Sequence, residues 1–245
     1  MKTGSARNDL ALVEMAAQRG VELRVLGGRA FRHHVLGRAP AHLVRPPGDL
    51  DLFTLSRFRK GVQEVLEDIG MAPDREFNVI NGKTRMIYWD GEEKVDVFID
   101  EFRMCHQLDL RRRMELQPVT LPVADLLLTK LQIVELNEKD MKDLLAILLT
   151  SRITDHDAEQ AINVEYLAAV LAKDWGLWRT CTHNLDKIAQ ASSELLRGAA
   201  EAVEAVEDRI RQIARAVEES AKSTSWRLRA VVGERVRWYE LPEEP

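Results

Sequence analysis

Residues 49–55 read Asp49-Leu50-Asp51-Leu52-Phe53-Thr54-Leu55, and the alternation from Leu50 to Leu55 predicts a strand. In a strand, residues two apart share a face. Asp49 and Asp51 are therefore expected to project together while Leu50 and Leu52 face a core. Upstream, Val21 to Leu26 reads as a short apolar strand broken by Gly27-Gly28, with a helix expected from Arg29 to about Leu36. Downstream, Lys94-Val95-Asp96-Val97-Phe98-Ile99 sets a third carboxylate, Asp96, between apolar residues of another strand. The bland reading of Asp49 and Asp51 is a solvated turn after Pro46-Pro47-Gly48. Asp96 weighs against it, because a carboxylate on an apolar strand needs a partner or a metal.

Three carboxylates converging beside a glycine turn make a site for divalent metals and a nucleoside triphosphate. Hard oxygen ligands suit Mg²⁺, and two such ions held by Asp49, Asp51 and Asp96 would activate an attacking hydroxyl and stabilise a departing pyrophosphate. Asp96 would help orient or deprotonate that hydroxyl. At Gly27-Gly28, backbone N–H groups can approach phosphate oxygens, aided by the positive end of the following helix, with Arg29 beside them.

The remaining pattern predicts an α+β first half with a small mixed sheet and flanking helices, followed by a mostly helical second half. Asn8 to Arg19 reads as a helix burying Leu10, Val13 and Ala17 and stopped by Gly20. Gly37 to Gly48, with Pro40, Pro46 and Pro47, must be a loop. Ser56 is a good cap for a helix ending near Gly70. Phe77 to Ile80 and Thr84 to Trp89 flank Asn81-Gly82, a hairpin signal, and Asp90-Gly91 marks the next turn. Helices are expected at Val123 to Leu136, Lys139 to Thr150 and Asn163 to Lys173. One long amphipathic helix is expected over about 185–222, with slippage near Gly198; packing on its own domain is favoured over partner binding or self-association. Trp226 to Leu241 reads as a late strand pair or an extended tail. The expected domains are 1–120 and 121–245.

The bulk numbers bound the classes. The 245 residues are 45% hydrophobic and 31% charged, an ordinary globular mixture, and the net charge of −5 argues against a strongly basic nucleic-acid-binding surface. Cys105 and Cys181 lack metal-ligand spacing and fit buried thiols in a reducing cytoplasm. Met1 to Leu12 lacks a signal-peptide core, and no apolar run is long enough to span a bilayer, so a cytoplasmic location without membrane contact is expected.

The order strand, Gly-Gly, helix, Asp-x-Asp strand, apolar-Asp-apolar strand resembles the nucleotidyltransferase superfamily that includes polymerase-β-like enzymes. Within it, the chain looks most like the AbiEii-like abortive-infection and toxin–antitoxin branch. That branch carries an arginine four residues before the first metal aspartate, matched by Arg45 before Asp49. Its helix motifs are matched by Asp125-Leu-Leu-Leu-Thr-Lys130 and Lys139-Asp140-Met-Lys-Asp143. The resemblance covers roughly Val21 to Leu149. It implies Mg²⁺-dependent transfer of a nucleoside monophosphate from an NTP donor to a hydroxyl. Asp49, Asp51 and Asp96 would hold metal, Gly27 and Gly28 would meet the triphosphate, and Lys130 would face its charge. Lys139, Asp140 and Asp143 would line or brace the cleft. Two departures stand out: the Gly28–Asp49 gap is longer than usual and holds His33, His34 and His42, and Arg29 takes a place often held by a small or hydroxyl residue.

The implied acceptor is a tRNA, a protein side chain or a small hydroxylated molecule, with a toxin-like role first and an aminoglycoside-type enzyme second. The alternative from another class is a non-catalytic protein of this fold that binds a nucleotide or a partner. Lys130 also reads as a surface lysine, and Lys139 with Asp143 as a surface ion pair. His33-His34 and Arg111-Arg112-Arg113 read as solvated surface, and Trp175 and Trp178 as core.

Overall fold

The computed structural model describes residues 9–46 and 48–241. Asn8, the expected start of the first helix, and Pro47 lie outside them. In chain order the elements begin α1 (Asp9–Gln18), β1 (Arg24–Leu26), α2 (Gly27–Val35), β2 (Leu50–Thr54), α3 (Arg59–Asp68), β3 (Ala72–Pro73) and α4 (Arg75–Asn81). They continue β4 (Arg85–Asp90), β5 (Glu93–Ile99), β6 (Glu101–Arg103), β7 (Gln107–Asp109), α5 (Val123–Leu131) and α6 (Glu138–Thr150). The last are β8 (Arg152–Thr154), β9 (Ala161–Asn163), α7 (Val164–Leu171), α8 (Trp175–Leu195), α9 (Ala200–Glu219) and α10 (Thr224–Val232).

The chain divides into two compact units. The first takes the described residues of Met1–Ala30, Pro47–Phe102 and Asp109–Leu121; the second takes Phe31–Pro46, Arg103–Leu108 and those of Pro122–Pro245. The long Gly28–Asp49 gap thus has a structural reason, since most of it belongs to the second unit.

The first unit is built on a five-stranded sheet in the order β1-β2-β5-β4-β3. Strands β2 and β5 run parallel and the other pairs antiparallel. The sheet is mixed and small, as expected. Leu50, Leu52, Val95 and Val97 are buried, so the alternation read from the sequence does face a core. The Asp90-Gly91 turn closes the β4–β5 hairpin, with Asp90 opposite Glu93 and Gly91 at φ +65.

Three local expectations are corrected here. Helix α1 buries Leu12, Val13 and Ala16, while Leu10 and Ala17 are exposed; its stop, Gly20, has φ +72. Ser56 caps nothing with its side chain: it opens a single 3₁₀ turn, and its N–H donates to Asp100 Oδ1 at 2.9 Å. The Asn81-Gly82 hairpin is absent, because residues 75–81 form α4. Asp74 caps that helix, accepting from the Phe77 N–H at 3.1 Å, and Asn78 exchanges two hydrogen bonds with the Ile87 backbone at 2.7 and 2.9 Å. A cap plus a tertiary clamp outweighs the turn propensity of Asn-Gly. With Val79 and Ile80 exposed, α4 depends on these bonds. Asp74→Ala should lower stability by about 1 kcal/mol, read by urea denaturation.

The second unit is a helical assembly around α5, on which eight of nine residues are buried. Asn137, Asn163, Asp174 and Ser223 each accept a backbone N–H at the start of α6, α7, α8 and α10. The single helix expected over 185–222 is instead two. Arg197 and Gly198 take left-handed backbone angles (φ +54 and +69), and the Gly198 N–H turns back to the Ser193 carbonyl at 2.8 Å. This is a glycine-terminated helix end. Helix α9 then packs on α6, α7 and α8, burying Val206, Ile210, Ile213 and Val217. The apolar stripe of this segment is therefore covered within its own unit. Residues 226–241 are not a strand pair: Ser223 starts α10, and a 3₁₀ turn follows at Gly233–Arg235. No helix among the described residues is long and apolar enough to cross a membrane.

Candidate functional site

In the first unit the parallel register sets Asp51 directly beside Asp96, with Leu50 beside Val95 and Leu52 beside Val97. Paired residues of adjacent strands lie on the same face about 4.8 Å apart, so the two carboxylates leave the sheet together. Asp49 lies one residue before β2, exposed on a bend, so strand alternation does not aim it. Among the described residues no three His, Cys, Asp or Glu side chains converge as a metal-ligand group. Asp51 and Asp96 stand as a pair.

The glycine turn is fitted to that pair. Leu26, the end of β1, lies opposite Asp51. Gly27 follows at φ +57, and a Cβ there would sit 1.8 Å from Asp51 Oδ2. Only glycine allows this close approach with this backbone angle. Gly27 and Gly28 form the first turn of α2, whose leading N–H groups lack helical acceptors. Arg29, one residue on, is buried and engaged inside the unit. Its Nη1 donates to Asp9 at 2.7 Å, Nη2 pairs with Glu93, and Nε donates to the Gly48 carbonyl at 2.9 Å. Arg29 thereby fixes the backbone next to Asp49.

Sequence reasoning missed the partners of Asp96. Arg85 donates from Nε and Nη2 to Oδ1 at 2.8 and 2.7 Å, and Lys94 Nζ lies 3.5 Å from Oδ2. Arg85 is also held over the rings of Phe77 and Phe98, at 5.6 and 5.2 Å from their centroids. The signal was present, since Lys94 is two residues from Asp96 on the same strand face. Arg85 sits diagonally across the β4–β5 ladder, within reach of a long side chain.

The other expected residues fall in the second unit. Arg45 pairs with Asp143: its Nε donates to Oδ1 at 3.0 Å, and Nη2 lies 2.9 Å from Oδ2. Lys130 pairs with Asp140 and lies 3.5 Å from Asp143. Asp143 is buried, and burial pushes its carboxyl above the ordinary range while Lys130 and Arg45 pull it back. The surface pair read for Lys139 and Asp143 is not formed: Lys139 is exposed, and Asp143 pairs with Arg45 and Lys130. Asp125, fully buried, accepts from the Tyr166 hydroxyl at 2.6 Å. The proline-bearing loop is anchored here too, by Arg45, by buried Leu43 and by His42 on the Leu195 carbonyl at 3.0 Å.

Two further expectations change. His34 is not at the surface: it is buried, its Nδ1 is 3.0 Å from Gln160 Oε1, and burial holds its imidazole below the usual value. Arg113 is buried, whereas Arg111 is exposed and paired with Asp109. Cys105 and Cys181 are buried free thiols, and burial raises both.

Comparison with protein-family models, curated proteins and solved structures finds no match for the chain.

Proposed function

We propose that the first unit carries the catalytic site of a Mg²⁺-dependent nucleotidyltransferase, which moves a nucleoside monophosphate from an NTP to a hydroxyl of an acceptor. The observation that carries this reading is the in-register pair Asp51 and Asp96 beside a glycine turn whose Cα packs on the Asp51 carboxylate. The donor chemistry fits Mg²⁺, which is commonly held by one or two carboxylates with water and substrate phosphates. Asp51 and Asp96 would hold it. The ion would neutralise charge on the transferring phosphoryl group.

The chain's own groups do the rest. The first N–H groups of α2 donate to phosphate oxygens, favoured by the helix dipole. Asp96 orients the acceptor hydroxyl and takes its proton, while Arg85 fixes the rotamer of that carboxylate. A toxin-like role acting on tRNA or protein is the first choice of acceptor. One observation favours the non-catalytic alternative: Arg85 and Lys94 already address both oxygens of Asp96.

Calorimetric titration of MgATP, MgGTP, MgCTP and MgUTP into the wild type and into Asp49→Asn/Asp51→Asn separates the two. Saturable, magnesium-dependent binding that the double variant loses is the expected result. Silence with all four from folded protein would replace the enzyme by the non-catalytic reading.

A further inference from the structure

The second unit contains a cavity of about 570 Å³, whose wall is drawn from 105–107, 173–176, 225–229 and 237–240. That volume lies within the usual range for small-molecule sites, about 300–1,000 Å³. Four of its lining residues are aromatic: Trp175, Trp226, Trp238 and Tyr239. Their contacts are edge-on, 78° between Trp175 and Trp238 and 80° between Trp238 and Tyr239, so these rings do not stack face to face on one another.

The wall is a built one. A Cβ on Gly176 would meet the Trp238 carbonyl at 2.6 Å, so only glycine lets the tail close over α8. Trp238 Nε1 donates to Thr180 Oγ1 at 3.0 Å, and the same hydroxyl is 2.9 Å from Nε2 of buried His106. Burial holds that imidazole below its ordinary value. The Glu240 N–H donates to the Cys105 carbonyl at 2.9 Å.

Charge decides the class of ligand. In a chain of net charge −5, residues 226–239 hold four arginines against one glutamate. The two carboxylates on the wall are already engaged. Asp174 caps α8 through the Leu177 N–H at 3.0 Å, and Glu240 is forked by Arg103 at 2.7 and 2.8 Å. Arg229 is held by the Gly233 and Val236 carbonyls and lies 4.7 Å over Trp175. Arg237 is exposed, lies 5.8 Å over the Tyr239 ring and forms no ion pair among the described residues. Indole rings with a guanidinium at the rim that no carboxylate takes suit a planar ring carrying an anionic group, because stacking accepts any base and the cation takes the phosphate.

We propose that this cavity binds a nucleotide, with the base against the indole wall and the phosphate on Arg237. The same chemistry is offered by a free mononucleotide and by one unpaired residue of a single-stranded RNA. The site is separate from the carboxylate pair of the first unit and does not depend on it.

The test is tryptophan fluorescence of the full chain in EDTA, titrated with 5′-AMP, with hexa-adenylate RNA and with inorganic phosphate. Saturable quenching by AMP or the RNA is expected. Trp226→Leu should weaken it about tenfold, in keeping with loss of one stacked base. Arg237→Gln, at an exposed position, should weaken it severalfold without changing the melting temperature, and Asp51→Asn should leave it unchanged. Equal molar affinity for AMP and hexa-adenylate would name the free nucleotide as the source. Tighter RNA binding that falls with added salt would name the strand. No quenching by either, quenching indifferent to both cavity variants, or phosphate binding as tightly as AMP would overturn the proposal.

Discussion

Asp143→Ala is expected to lower the stability of the second unit by about 3 kcal/mol, the lower end of the range for breaking a buried ion pair. The reason lies in what stays behind. Arg45 would keep a guanidinium with side-chain exposure of only 23% and no carboxylate partner, whereas Lys130 would retain Asp140. The loop at Gly37–Pro46 would lose one of its anchors. Asp143→Asn keeps the shape and one acceptor oxygen and should cost clearly less. Burial raises the Asp143 pKa, so the native state holds that proton more tightly than the unfolded chain does. The stability linked to this proton, as distinct from the ion pair that the ionised carboxylate makes, is therefore full below the ordinary carboxylate value of about 3.9 and declines as pH rises through the higher native value. The Asn variant should lack this decline. Urea denaturation followed by tryptophan fluorescence reads both effects, since Trp175, Trp178, Trp226 and Trp238 all lie in the second unit. A loss below about 1 kcal/mol, the usual worth of an exposed pair, would refute the buried-anchor account.

Gly27→Ala should be the most damaging single change in the first unit. A left-handed backbone angle alone costs an alanine about 1–2 kcal/mol. Here the added methyl would also have to displace Asp51 Oδ2, 1.8 Å away. Gly20 provides the control, because it has φ +72 but open space around its Cβ position. Gly20→Ala should show the backbone cost only, and the excess seen with Gly27→Ala measures the Asp51 clash. Equal losses in thermal melts of the two variants would mean that Asp51 yields freely, and the close approach would then constrain nothing.

Much of the first unit was legible in the sequence because its signals are local. Period-two alternation at Leu50 to Leu55, the break at Gly27 and the turn at Asp90-Gly91 act within a few residues, and each element formed. Where the reading failed, a longer-range partner decided the outcome. Asn81-Gly82 carries hairpin propensity, yet Asn78 is clamped to Ile87 and Asp74 caps the segment as a helix. Trp226 to Leu241 reads as a strand pair or an extended tail, but the cap at Ser223 comes first. The slippage near Gly198 reads as a fault within one helix, whereas its left-handed turn moves the second half onto α7 and α8. Within the candidate site, the Asp51–Asp96 adjacency followed from a parallel pairing that no local pattern dictates. Arg85 could be found only once the β4–β5 ladder was known. The nucleotide-sized cavity draws its wall from residues as far apart as Cys105 and Glu240, so no single stretch announces it.

The way the chain alternates between its units sets an order of assembly during synthesis. Arg45 emerges 98 residues before Asp143, and His42 emerges 153 residues before the Leu195 carbonyl. At translation rates of about 5–20 residues per second, the first of those delays alone is about 5–20 s. Throughout it, Arg45 and His42 wait for the partners that hold them in the folded chain. A nascent chain stalled near residue 121 would thus hold every strand of the five-stranded sheet while the loop at 37–46 still lacks its anchors at Asp143 and Leu195.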